Sequence, residues 1–257
     1  MTTLVATTPV TYPSGDGRPL AETFLHVYAI LTTLEVLRQY LEGSQATVLA
    51  NQFLYYAPGV RTSRVAPDVM VIFGVAPGPR DSYKTWEEGQ VPAIIFEITS
   101  ESTRSKDQDD KLRLYEFLGV QEYWLFDPKG EWIQDKLRGY RLQVIEQGDG
   151  PVNHYQLIEE NISERLQLRL QVEGELIGFY RLDNSQKLLI PSELAAELRA
   201  TAAQLEQSEQ RAQAAEQRAQ AAEAVVQQEQ QARQQAEQRA AELAERLREL
   251  GIDPDTP

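Results

Sequence analysis

Apolar residues recur at helical spacing from Ala21 to Leu41, at Phe24, Val27, Tyr28, Leu31, Leu34, Leu37 and Leu41, and Gly43 stands where a cap would fall. This spacing predicts a helix. Thr47 to Tyr56 is rich in β-forming residues and ends at the turn signal Ala57-Pro58-Gly59, which predicts a strand. Two runs, Val69 to Val75 (VMVIFGV) and Ala93 to Thr99 (AIIFEIT), are almost wholly apolar, the pattern of strands buried on both faces. Helical spacing returns from Asp107 to Leu118 through Leu112, Tyr115 and Leu118 and stops at Gly119. A further apolar run, Tyr123 to Phe126, ends at Asp127-Pro128. Strand, helix and strand in this order form a crossover unit. From Trp132 to about Leu182 the chain alternates residue by residue, as in GYRLQVI, HYQLI and LQLRLQV, which predicts hairpins with one wet face. The pattern as a whole predicts an α/β fold.

After Pro191 the pattern changes. Ser192 suits a helix start with Glu193 in its first turn, and Gly251 followed by Pro254 marks an end. The intervening residues would span roughly 90 Å as one helix. They contain a near-exact seven-residue repeat, SEQRAQA at 208–214 and AEQRAQA at 215–221. One seam runs through Leu205, Ala212, Ala219, Val226, Arg233, Ala240 and Leu247, which is coiled-coil spacing. Alanine buries little area and Arg233 interrupts the seam, so a solvated single helix held by Glu/Arg pairs stays open beside the coiled coil. The expected layout is an irregular lead-in over 1–19, a domain over 20–185, a helical tail over 192–250 and a flexible terminus over 251–257.

Composition narrows the chemistry. The 257 residues include no Cys and two His, His26 and His154, far apart in sequence, so thiolate sites, disulfides and closely spaced His–His zinc motifs are excluded. No run is apolar enough to span a membrane and the N-terminus lacks a signal-peptide pattern, so a cytoplasmic protein is expected. The formal charge of −14 counts against high-affinity, sequence-independent DNA binding, although a local site can carry the opposite sign. The tail, with 11 Glu and 7 Arg over 192–250 and hence a net of −4, is not expected to bind DNA.

Two carboxylates sit in costly places. Asp68 follows Pro67 at the start of one apolar run, and Glu97 lies near the end of the next. On neighbouring strands, both side chains could converge on one hard cation such as Mg²⁺, the arrangement that activates water in phosphodiester hydrolysis. The alternative is structural: Asp68 caps a turn and Glu97 pairs with a basic side chain. On the following helix, Asp107, Lys111, Leu114, Tyr115 and Leu118 share a face, so Lys111 borders the stripe that packs on the sheet. Its ammonium could orient an attacking water, or it could simply pair with Asp107 at i,i+4. Lys106 is the weaker candidate, at the helix start among Ser and Asp.

The stretch Val65-Ala66-Pro67-Asp68-Val69, then Phe96-Glu97-Ile98-Thr99-Ser100 through Ser102-Thr103, Asp107 and Lys111, then Tyr115 and Gly119-Val120-Gln121-Glu122-Tyr123-Trp124, resembles the Uma2 (DUF820) family of endonucleases. Asn51 to Tyr56 and Trp86-Glu87-Glu88-Gly89 add to the resemblance, which covers about residues 20–180. It implies a restriction-endonuclease-like PD-(D/E)xK fold, a mixed sheet flanked by helices, here followed by the long C-terminal helix. It implies a Mg²⁺-dependent DNA endonuclease, with Mn²⁺ as a substitute, in a family abundant in cyanobacteria. Asp68 and Glu97 then become metal ligands with the Ile98 backbone carbonyl. The lysine usual two places after the second acid is absent, since Thr99 stands there, and Lys111 on the helix takes its role. Glu22, Thr99 and Asp107 are additional candidates, and His26 is expected to be a structural residue of the first helix. Glu101 departs from the Pro common in the family at that point and adds negative charge. The competing expectation is a catalytically weak nuclease fold acting as an interaction module. In either case a homo-oligomer is expected, formed through the core or the C-terminal helix.

Overall fold

The short central strands are almost wholly apolar and are buried on both faces of a six-stranded sheet, whose last two strands, longer and alternating, keep one face wet. The computed structural model describes residues 10–15, 23–100, 106–148 and 150–249. In chain order the elements are α1 (Phe24–Tyr40), β1 (Ala46–Ala50), β2 (Leu54–Tyr55), β3 (Arg64–Val65), β4 (Val69–Phe73), β5 (Tyr83–Lys84) and α2 (Thr85–Glu88). Then follow β6 (Ile94–Ile98), a single π-turn (Lys106–Asp110), α3 (Lys111–Leu118), β7 (Glu122–Phe126), β8 (Leu137–Gln147) and β9 (Gly150–Ile158). The series ends with β10 (Ile162–Ser163), β11 (Leu168–Glu173), β12 (Leu176–Arg181), β13 (Lys187–Leu188) and α4 (Pro191–Glu249).

The main sheet has the order β1-β4-β6-β7-β8-β9, and β6 with β7 is its parallel pair, joined by α3 as the crossover expected from the sequence. Its two faces bury two cores. One packs Ala29, Ile30 and Leu37 of α1 against Val69, Val71, Ile94 and Phe96, and against Leu168, Ile177 and Phe179 of the smaller sheet β10-β11-β12-β13. The other packs Tyr115 beneath Met70, Ile72, Ile95, Tyr123 and Leu125, beside the small sheet β3-β2-β5. Strand side chains alternate, so Glu97 faces the same side as Ile95, toward α3.

The α/β class and the long C-terminal helix are as the patterning predicts, and the mixed sheet is as the family resemblance implies. Two elements differ. The strand expected over 47–56 is broken at Asn51, whose φ of 52° puts it in the left-handed region that Asn tolerates better than most residues. Its N–H donates to both Pro67 O (3.1 Å) and Asp68 O (3.2 Å), and the chain leaves the main sheet to form β2. The helix expected over 107–118 begins as the π-turn and becomes α-helical at Lys111, ending on Gly119 in the left-handed conformation (φ 83°). The tail helix starts at Pro191, one residue before the expected Ser192, with Pro in its favoured first-turn position.

Gly139 on β8 lies opposite Trp124 on β7, and a Cβ there would overlap the fully buried indole ring. Gly139→Ala is therefore expected to destabilise the domain by about 1–3 kcal/mol, the usual cost of overpacking. Urea denaturation with an unchanged midpoint would contradict this.

The chain divides into two units between Leu194 and Ala195. The boundary falls within the first turn of α4, and none of that helix's residues is buried. No helix among the described residues is long and apolar enough to cross a membrane.

Candidate active site

The site forms where β4 begins and β6 ends. Val69 pairs with Phe96, so extending that antiparallel register by one position sets Asp68 opposite Glu97. The Asp68 carboxylate reaches across to accept the Ile98 N–H at 2.7 Å through Oδ2. Glu97, with 1% of its side chain exposed, is held at both oxygens: Lys111 Nζ donates to Oε2 at 2.7 Å and the Tyr115 hydroxyl donates to Oε1 at 2.7 Å. Lys111 is also 2.9 Å from Asp107 Oδ1. The π-turn and α3 thus deliver Asp107, Lys111 and Tyr115 to the sheet at four-residue intervals. The Tyr123 hydroxyl fastens the π-turn by donating to the Asp107 carbonyl at 2.8 Å.

Three carboxylates, Asp68, Glu97 and Asp107, surround one ammonium. Burial pushes the Glu97 carboxyl up to about 8; the Lys111 charge opposes this, and the Asp68 and Asp107 charges add to it. Burial works to lower the Lys111 pKa, but the Glu97, Asp107 and Asp68 carboxylates outweigh it and hold the ammonium above its ordinary range. Tyr115 is raised by burial and by Glu97, so it stays a neutral donor. Asp107 is fully buried, and neither of its carboxylate oxygens has an aligned hydrogen-bond donor among the described residues, despite the nearby ammonium. Surplus buried negative charge with under-satisfied oxygens fits a hard cation. Among the described residues no set of three or more Asp, Glu or His donors is already assembled as a metal cage.

The structure brings Asp68, Glu97, Asp107 and Lys111 together, and both bland contacts expected for them, Glu97 with a basic group and Asp107 with Lys111, are present. Thr99 is buried, its N–H donates to Phe126 O at 2.7 Å, and its hydroxyl has no hydrogen-bond partner among the described residues. It cannot supply the charge of a lysine at that position, and Lys111 brings an ammonium to Glu97 from the helix instead. Glu22 and Glu101 lie outside the described residues, as does the side chain of Lys106. His26 is buried as a helix residue would be, yet its Nε2 lies 3.9 Å from Asp68 Oδ2, so it borders the site. Tyr115 as the second partner of Glu97 was not foreseen. Its signal was its place one turn beyond Lys111 on the same face.

With this geometry in view, the family comparison is decisive: the Uma2 family model, described as putative restriction endonuclease, matches residues 10–173. The chain belongs to the Uma2 family. The matched region holds Asp68, Glu97, Asp107, Lys111 and Tyr115 and stops short of α4. A solved structure similar to this Uma2 chain is that of a putative nuclease belonging to DUF820 from Anabaena variabilis ATCC 29413, with 14% identity over 58% of this chain and 77% of that one and a TM-score of 0.38. Among curated proteins, none matches.

Proposed function

We propose that this Uma2 protein is a divalent-metal-dependent DNA endonuclease whose centre is Asp68, Glu97 and Lys111. The observation that carries the reading is the meeting of two carboxylates from adjacent strands with a helix-borne ammonium, 2.7 Å from Glu97. Asp68 and Glu97 would hold Mg²⁺ or Mn²⁺ together with the Ile98 carbonyl, and Asp107 supplies further negative charge beside them. When bound, the ion supplies Lewis acidity to a phosphate oxygen and lowers the pKa of a water. In hydrolysis the water oxygen attacks phosphorus and gives up one proton to bulk water, one ester P–O bond breaks, and the departing oxygen takes up a proton from bulk water. Lys111, kept charged by its neighbours, has only protons to donate, so it is not a base. It orients the water and stabilises the extra charge on the phosphoryl oxygens. Tyr115 fixes the Glu97 carboxylate from the other side. Asp68 and Lys111 keep 14% and 18% of their side chains exposed, which leaves this end of the site reachable from solvent. Metal-dependent cleavage of DNA by the full chain, lost on substitution of Asp68, tests the reading.

The tail supports a second, compatible reading, that α4 associates with a second copy. Its seven-residue repeat and its exposed Leu198, Leu205, Val226 and Leu243 favour it. Sedimentation equilibrium of the full chain is expected to give a multiple of the 29.1 kDa chain mass. A monomer at micromolar concentration would rule it out.

A further inference from the structure

A chain of net charge −14 that cuts DNA must present a local cationic surface near its acidic centre, since phosphate neutralisation supplies most of the affinity. The sequence places one next to the site. Between Glu42 and Asp68 there is no acidic residue, and the segment carries Arg61 and Arg64. It folds as the β2–β3 hairpin, in which Leu54 pairs with Val65 and Tyr55 with Arg64. The hairpin leaves β1 and returns to Asp68 at the site's own end of the sheet, where the Asn51 N–H is shared between Pro67 O and Asp68 O. Arg64 is four residues before Asp68, so their Cα atoms lie within about 14 Å even along a fully extended chain.

The two arginines are not neutralised. Arg61 is exposed at the hairpin tip and forms no ion pair among the described residues. Arg64 has neutral partners: its guanidinium lies 4.2 Å from the Phe53 ring centroid and donates to the Tyr55 hydroxyl at 3.2 Å. The next cations along the chain are engaged, Arg80 by Glu88 at 2.7 Å and Lys84 by Glu87 at 3.0 Å. The hairpin is also braced. The Gly59 N–H donates to the Tyr12 hydroxyl at 2.6 Å, the Tyr12 ring packs on Tyr55 and Trp86, and the Tyr55 hydroxyl donates to Pro13 O at 2.6 Å. Arg64, whose guanidinium is held by Phe53 and Tyr55 before binding, loses less freedom when a ligand arrives.

We infer that the β2–β3 hairpin is the phosphate-backbone contact of the site, with Arg61 and Arg64 neutralising phosphates that flank the one being cut. This rests on the nuclease reading above. Guanidinium suits the role because its planar donor fork matches phosphate oxygens and its charge is permanent.

The test uses the full chain, a fluorescent duplex oligonucleotide, anisotropy titrations over a range of salt, and steady-state cleavage. Arg61→Gln and Arg64→Gln are each expected to lower the slope of log K against log salt by about one, and together by about two. Both raise KM for cleavage and leave kcat unchanged, the mark of lost uniform binding. Arg218→Gln on α4, an equal change of charge, leaves slope and KM as in the parent. Arg61 makes no contact that folding needs, so its variant keeps the test open if Arg64→Gln misfolds. A parent that binds and cuts DNA while Arg61→Gln and the double variant match it in slope and KM overturns the hairpin assignment alone. A parent that neither binds nor cuts DNA overturns the nuclease reading and this assignment with it.

Discussion

Asp68→Ala is expected to reduce metal-dependent DNA cleavage by about 10²–10³-fold, the scale of removing one preorganised electrostatic element from a reaction centre. The same change should abolish the heat of Mg²⁺ or Mn²⁺ binding in calorimetry. Asp68 also accepts the Ile98 N–H, so the alanine variant leaves a strand-end donor unpaired at a cost of about 1–3 kcal/mol. Asp68→Asn separates the two effects. The amide oxygen can still accept from Ile98, so the fold is kept, but the negative charge is gone. Cleavage should fall in both variants while only the alanine loses stability. An asparagine variant that cuts DNA at the parental rate would remove Asp68 from the centre.

Glu97→Gln should raise the stability of the metal-free protein at pH 8 while eliminating activity. The folded-state pKa of Glu97 is raised to about 8 from an ordinary 4.5, chiefly by burial. Between those values the folded chain keeps a proton that the unfolded chain has lost. The contribution to stability is fully present below about pH 4.5 and is lost as pH rises toward 8, amounting to a few kcal/mol at about 1.4 kcal/mol per pH unit. Glutamine has no such proton to lose and still accepts from Tyr115. Lys111 is not stranded, because Asp107 remains 2.9 Å away. Melting temperatures from pH 5 to 8 in chelator should therefore fall in the parent relative to the variant. Added Mg²⁺ should then raise the parent's Tm alone, since ligand binding to the folded state is what stabilises it. Parallel curves for the two proteins across that range would refute the account.

The central strands of the main sheet were readable because they are buried on both faces and leave uninterrupted apolar runs at Val69 and Ile94. The crossover helix was readable from Leu112, Tyr115 and Leu118. The break at Asn51 was not, because β-propensity continues across it through Phe53, Leu54 and Tyr55. What ends the strand is a backbone angle and an N–H shared with residues 67 and 68. Nor was the π-turn readable, since a five-residue turn changes the spacing of polar residues that carry no hydrophobic signal. Of the site, the two acids and Lys111 were marked by charge in apolar surroundings. Tyr115 and His26 were hidden because a tyrosine and a histidine on an apolar stripe read as core. Both indeed are core, and each also touches a carboxylate of the site or stands beside one.

The slot that Gly139 leaves for the Trp124 ring has a consequence for how this domain can diverge. A side chain at 139 costs less once the ring at 124 has shrunk, so the effects of the two positions are not independent. Trp124→Leu first opens a cavity that a methyl at 139 then partly fills, whereas Gly139→Ala first passes through the overlap. The neighbouring strands β7 and β8 are thereby coupled in sequence space, and what is tolerated at one position depends on the residue at the other.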